Sequence, residues 1–290
     1  LVGFIDFPAT LLSLAEIKPP EHFQGHAFMG RYEAAEQPYI YGFRGRMDER
    51  FDMVRVVRDK RYIYIRNYMP HKVYGQYIAY MFQTPTTQVW KRLYDEGKLT
   101  AAQSTFWKTK SPEELYDLEA DPDEVNNLAG SAEHRDVLQR LRKAQRALAL
   151  KIRDVGFLPE AEIHSRSLGS TPYEMGHDRK RYAMEYIFAM ADLASSLKSD
   201  ALSQLTAGLR DKDSAVRYWA ALGLLMRGSN AVAPSRDSLR ESLSDKSYSV
   251  RVIAAEALGR YGDADDVRLA LPVLADAADI SKHGVFVSML

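Results

Sequence analysis

Two stretches of this 290-residue chain carry side chains whose types and spacing suit ligand chemistry. Arg44-Gly45-Arg46-Met47-Asp48-Glu49-Arg50 sets five charges in seven residues. Guanidinium forks match the oxygens of an oxyanion, and carboxylates accept from hydroxyl groups. Arg46, Asp48, Glu49 and Arg50 can therefore form the rim of a site for an anionic, hydroxyl-rich ligand. The same run also reads as a solvated loop between two strands. The second stretch holds Met69-Pro70-His71-Lys72 and Tyr74-Gly75-Gln76-Tyr77. His71, beside Tyr74 and Gln76, reads either as an anion or sugar contact or as a loop histidine bonded to backbone. A lone histidine supplies no metal geometry, so no metal site is assigned. An aromatic, aperiodic loop of this length in a compact domain is usually functional or partner-binding, which keeps the first reading open.

Composition narrows the chemistry. The chain has no cysteine, which excludes disulfides, thiolate metal sites and cysteine nucleophiles within these residues. Lys+Arg and Asp+Glu balance at 39 each, which points away from nucleic acid or an anionic membrane as a bulk partner. No apolar run reaches the roughly 18 residues of a membrane span, and no basic-then-apolar leader opens the sequence. Leu1 and the apolar Val285–Leu290 both read as cuts through a longer protein.

The elements that must position these residues follow from periodicity. Residues 5–15 predict a helix with Asp6 as cap, Pro8 in its first turn, and Leu11, Leu12 and Ala15 on one buried face. Residues 38–45 predict a Tyr-rich strand. Met53–Arg58 and Tyr62–Arg66 predict a β-hairpin whose turn, with Lys60 in it, is a type I with a bulge. Residues 88–96 predict a helix with Val89 and Leu93 inward and Trp90 as a further candidate for that face. Leu115–Leu118 predicts a strand stopped by Asp121-Pro122, with Val125 and Leu128 re-entering a core. Residues 133–154 form an amphipathic helix with Val137, Leu141, Ala144, Leu148 and Ile152 inward; Arg142 and its neighbours on the other face read as solvated. From residue 182 the texture becomes alanine- and leucine-rich. Asp211-Lys212-Asp213 through Leu224 aligns, 34 residues on, with Asp245-Lys246-Ser247 through Leu258. Arg217 and Arg251 at matched positions read as a structural ladder.

The string Glu114-Leu115-Tyr116-Asp117-Leu118, then Ala120-Asp121-Pro122, Glu124 and Asn127-Leu128-Ala129, resembles the C-terminal signature of the sulfatase family, the type I sulfuric ester hydrolases. Asp6…Pro8-Ala9-Thr10-Leu11-Leu12 resembles that family's helix closing its catalytic α/β domain, with Glu16 where glycine is usual. Gln24-Gly25-His26, Arg46-Met47-Asp48-Glu49-Arg50 and the hairpin resemble further family segments. The 34-residue repeat resembles HEAT repeats. The resemblance implies an α+β C-terminal sulfatase subdomain, a small antiparallel sheet packed by a long helix, joined to an all-α HEAT-repeat solenoid. The implied domains are 1–22, the end of the catalytic domain; 23–155, the subdomain; 156–181, a linker; and 182–290, the repeats.

What the resemblance implies about function is narrower. The family's formylglycine, made from a "[CS].P.R" motif, and its calcium ligands would lie upstream of residue 1. No catalytic and no metal residue is assigned, and the chain alone is expected to be inactive. Arg46, Asp48, Glu49, Arg50, His71, Tyr74 and Gln76 become candidate contacts to a sulfated sugar or aryl ester. The alternative is a protein-interaction module whose repeats bind a partner on a non-catalytic scaffold. The resemblance also implies export to the periplasm or exterior.

Overall fold

The computed structural model describes residues 1–288. In chain order its main elements are α1 (Phe7–Leu14), β1 (Ile40–Arg44), β2 (Val54–Arg58), β3 (Tyr62–Asn67), α2 (Pro85–Asp95), β4 (Glu113–Asp117) and α3 (Arg135–Ile152). There follow α4 (Glu160–Arg166), α5 (Pro172–His177), α6 (Met184–Ser195), α7 (Leu202–Gly208), α8 (Ser214–Met226), α9 (Arg236–Ser242), α10 (Tyr248–Tyr261) and α11 (Ala264–Ala277). These residues form two compact units. The first comprises Leu1–Arg44, Val54–Arg66 and Glu113–Ala147; the second comprises Gly45–Met53, Asn67–Pro112 and Leu148–Leu290.

The first unit is built on an antiparallel sheet in the order β1-β2-β3-β4. Alternation turns Val57, Tyr64 and Leu115 to one face, where Leu138 and Leu141 of α3 cover them. The fully buried positions of α3 are Leu138, Leu141, Gln145 and Ala149, with Val137, Ala144 and Leu148 only flanking them, while Ile152 is exposed. The stripe expected from sequence was thus rotated by a fraction of a turn. Arg142, expected in solvent, grips Glu113 through two bonds of 2.7 and 2.8 Å. In the hairpin turn none of Asp59, Lys60 and Arg61 takes a positive φ, so it is not the tight mirror-image type. Asp59 Oδ1 instead accepts from the N–H groups of Arg61 and Tyr62.

The Asp121–Asn127 segment works as backbone surrogate. Asn127 Oδ1 accepts from Leu115 N at 3.0 Å and Ala129 N at 2.9 Å, while its Nδ2 donates to Glu113 O at 3.1 Å. The side chain thereby completes hydrogen bonding along β4 that no strand supplies. The Asp121 carboxylate accepts from Val125 N and Asn126 N. Leu128 reaches the core, but Val125 is exposed, because this turn is held by polar bonds and not by packing. Across the sheet Arg61 holds the Asp117 carboxyl down at about 2.

At the N-terminus the expected helix forms, but its faces are exchanged. Ala9, Thr10 and Ser13 are buried, whereas Leu11 is 68% exposed. Thr10 Oγ1 accepts from Phe28 N and Ser13 Oγ accepts from Tyr32 N, so polar bonds fix the inner side. Asp6 makes no side-chain cap to α1; its carboxylate accepts from Gly3 N and His26 N, both at 2.8 Å. A Cβ at Gly25 would lie 1.8 Å from Ile5 O, which explains glycine in that turn. Glu16 adopts φ +60°, a conformation glycine takes without strain.

The second unit is mainly helical. Residues 156–181, read as a linker, contain α4 and α5 and bury Phe157, Leu158 and Met175. Trp219 donates its indole N–H to Phe157 O at 2.8 Å. The repeated segments share local structure: Asp211 Oδ1 accepts from Asp213 N and Asp245 Oδ1 from Ser247 N, each at 2.8 Å. Arg217 donates to Asp211 O and Arg251 to Asp245 O, and Arg217 also bridges to the Asp245 carboxylate. The copies differ at their caps. Asp213 caps α8, whereas Ser247, at the matched position, donates to Glu162. Gly228 has φ +68° while Gly262 is extended. Leu269 lies inside α11, which Asp263 caps earlier in the chain. The repeat's expected end at Leu290 lies outside the described residues.

Candidate functional site

The second unit holds all seven candidate residues. Met47 and Arg50 exchange backbone hydrogen bonds of 2.8 and 3.0 Å, which closes the charged run into a tight turn. Asp48, at its tip, takes φ +50° and is exposed. Glu49 accepts from Ala79 N at 2.5 Å, and its own and the Ala79 N–H hold its carboxyl below the ordinary range. Arg46 donates to Glu160 of α4 and lies 5.0 Å over the Phe51 ring. Part of its charge is therefore already answered within the protein. Arg50 is half-buried.

Just beyond the turn, Asp52 and Lys110 make an ion pair with both side chains fully buried, at 2.5 and 2.6 Å. Asp52 also accepts from Met53 N. Lys110 Nζ stands 5.1 Å from the Tyr74 ring, and its backbone N donates to Pro70 O at 2.9 Å. The Val73–Thr109 bridge and the bond from Gly75 N to Phe106 O continue this ribbon. A Cβ at Gly75 would meet the Trp107 ring at 2.6 Å. The loop bearing His71, Tyr74 and Gln76 is thus stapled along one side. Its base is Tyr68, fully buried, with its ring 4.9 Å from Phe157 and 6.3 Å from Trp219. Tyr68 and Met69 belong to the same hydrophobic cluster as the cores of α6, α8 and α10.

Both ring nitrogens of His71 are shielded from solvent and neither meets a hydrogen-bond partner. The expectation of a backbone-bonded loop histidine is therefore corrected. Burial, followed by the charges of Lys72, Lys110 and Arg260, lowers its pKa to about 3, so the imidazole is neutral near pH 7. The amide nitrogen of Gln76 is likewise buried without a partner. Lys72, not singled out from sequence, holds its ammonium 5.8 Å from the centroid of the Phe51 ring. Burial lowers its pKa, with Glu256 and Asp52 opposing and Arg260 and Arg46 reinforcing.

The structure thus brings Arg46, His71 and Tyr74 together around Phe51, Lys72 and the Asp52–Lys110 pair, while Asp48 stands apart. Asp52 follows the charged run and Lys72 follows His71 directly, so adjacency could have flagged both. Nothing local flags Glu256 and Arg260, some 190 residues away in the chain. Two surface hollows lie elsewhere. One, of about 480 Å³, is lined by Glu36, Asp59, Lys60 and Arg140, whose charges pair with one another. The other, of about 460 Å³, is lined by Val89, Trp90, Leu93 and Leu99. Val89, expected inward, is exposed there, while Trp90 stacks on Phe106 at 4.7 Å. Among the described residues no three His, Asp or Glu side chains converge as metal ligands.

No protein-family profile matches the chain. Over 164 residues it is 43% identical to an ulvan-active sulfatase of Formosa agariphila, covering 56% of this chain and 28% of that protein. A second ulvan-active sulfatase of the same organism is 28% identical over 149 residues, covering 49% of this chain and 28% of that protein. The chain spans little more than a quarter of the length of these relatives, and the matched part is sulfatase-related.

Proposed function

We propose that this chain is the C-terminal portion of a sulfate-ester hydrolase, supplying fold closure and a wall of the substrate mouth, with the bond-breaking groups outside it. The observation that carries this reading is the 43% identity over 164 residues to an ulvan-active sulfatase. Two features support it. The turn and loop of Arg46, Arg50 and His71 gather donors suited to an oxyanion in one compact unit. In the other unit Phe4, Phe7, Leu11 and Leu14 form an exposed apolar stripe, suited to cover by a further domain. In this reading residues 182–290 are HEAT-type repeats, supported by the matched turns at Asp211 and Asp245. The substrate class is a sulfated polysaccharide. The alternative, a scaffold whose helices capture a protein partner, draws only on the exposed Leu269 and Leu271 of α11.

The test compares this chain with the longer protein that carries it, against an arylsulfate and a sulfated polysaccharide. Hydrolysis by the longer protein and none by this chain is expected, with Arg50→Gln raising KM more than it lowers kcat. Turnover by this chain alone would move the chemistry into these residues and overturn the reading. A longer protein without any sulfatase activity would do the same.

A further inference from the structure

The short helix α4 is held on two sides. Glu160 and Glu162 are two residues apart, so their side chains leave the helix about 200° apart around its axis. Glu160 accepts from the Arg46 guanidinium of the charged turn. Glu162 is buried and meets the repeated helices instead. Its Oε1 accepts from Ser247 Oγ at 2.6 Å, and its Oε2 accepts from Ser214 Oγ at 2.7 Å and Arg166 Nε at 2.8 Å. Arg166, one turn further on the same side of α4, reaches the Asp213 carboxylate at 2.6 Å. One carboxylate thereby joins α4 to the starts of both α8 and α10. The chain leading into α4 is fixed as well, since Trp219 of α8 donates to Phe157 O. The two repeat copies differ where they meet this carboxylate. Asp213 caps α8 through Ala215 N. Ser247, at the matched position, is a residue type that caps well, yet it makes no side-chain bond to α10 and gives its hydroxyl to Glu162. The repeat departs from its own pattern at the residue that seats α4.

We propose that Glu162 is a positioning residue: by seating α4 on the starts of α8 and α10 it fixes Glu160, and through Glu160 it sets the direction of the Arg46 guanidinium. The repeated helices then serve the charged turn through α4. The positioning rests on the bonds just described; that Arg46 meets a sulfated substrate rests on the sulfate-ester reading above.

The test reads the Arg46 Nε–Hε signal by heteronuclear NMR of the whole 290-residue chain, the signal being identified by its loss in Arg46→Lys. Glu160→Ala removes the partner and marks where the released signal falls. Glu162→Ala is expected to move the signal toward that position, although its own bonds go to Ser214, Ser247 and Arg166. Glu162→Gln keeps an acceptor for the serine hydroxyls and should restore much of the parent signal. Glu162→Ala strands no guanidinium, because Arg166 retains Asp213. Should it still fail to fold, Ser247→Ala removes a single bond and should move the signal in the same direction. Gly223→Ala, which strains the same unit at the seam of α6, α7 and α8, is the control and leaves the signal in place. In the longer protein, Glu162→Ala should raise KM for a sulfated polysaccharide about fivefold with kcat unchanged, and adding it to Glu160→Ala should raise KM no further. A parent-like Arg46 signal in both Glu162→Ala and Ser247→Ala, or additive effects of Glu160→Ala and Glu162→Ala on KM, overturns the proposal. A moved signal in a chain whose longer protein hydrolyses no sulfate ester supports the positioning and refutes only the reading it would serve.

Discussion

Replacing Lys110 by methionine tests the pin beneath the candidate site. Asp52 and Lys110 are both fully buried, and two charge-assisted bonds of 2.5 and 2.6 Å join them. Methionine keeps the length of the stem and deletes the ammonium. The Asp52 carboxylate then loses the ammonium that pairs with it in a site closed to water. Breaking a buried pair from one side costs about 3–5 kcal/mol, because the remaining charge is uncompensated. Trp90, Trp107 and Trp219 all belong to the second unit, so tryptophan fluorescence reports its unfolding alone. With a urea slope of about 2 kcal/mol/M, the midpoint should fall by roughly 2 M. The Asp52→Asn, Lys110→Met double variant removes both charges and should recover a large part of the loss. A loss below about 1 kcal/mol, or a double variant as unstable as the sum of the singles, would refute the buried, coupled pair.

Three further perturbations address other parts of the chain. His71 is held neutral down to about pH 3, below its ordinary 6.5, so the unfolded chain binds the extra proton between those values. Its contribution therefore falls as pH drops from 6.5 to 3, by up to about 4–5 kcal/mol; His71→Gln should flatten that limb in pH-dependent urea titrations, and an unchanged limb would place the ring in water. Asn127→Ala removes the acceptor for Leu115 N and Ala129 N, so hydrogen exchange at those two amides should quicken and the first unit lose about 1–2 kcal/mol; unchanged protection would show that the side chain is not the surrogate described. Gly223→Ala would set a methyl 2.8 Å from Leu205 and 3.0 Å from Ala194, overpacking the seam of α6, α7 and α8 by about 1–3 kcal/mol, measured as a lower thermal midpoint; a rise in that midpoint would mean the seam has slack.

Period and turn chemistry made much of the fold legible. The hairpin, the strand before Asp121-Pro122 and the long helix all appear in place, because alternation and the 3.6-residue repeat depend only on neighbours in sequence. Errors arose where a polar bond overrode hydrophobic patterning. In α1, Thr10 and Ser13 take the inner face because two backbone N–H groups, of Phe28 and Tyr32, need acceptors there. Leu11 is displaced outward as a result. Arg142 looked solvated because its partner, Glu113, lies 29 residues earlier on a strand edge.

The candidate site was legible only in part, for the same reason in a stronger form. A charged turn and a histidine loop announce themselves by composition, but what makes them a site is the set of charges around them. Arg46 is matched by Glu160, and Lys72 and His71 feel Arg260, across separations of 114 and nearly 190 residues. No periodicity links such positions. Their meeting depends on Tyr68 being buried against Phe157 and Trp219, which ties the loop to the helices before any charge is placed. A histidine at the surface of a loop would stay near its ordinary pKa and keep water as a partner. The same residue, rooted in a helical core, becomes a neutral imidazole with unused hydrogen-bonding capacity. The helices from residue 182 onward therefore set the chemistry of a loop more than a hundred residues before them. Deleting or loosening them should alter the protonation and reach of His71 even where the loop sequence is untouched.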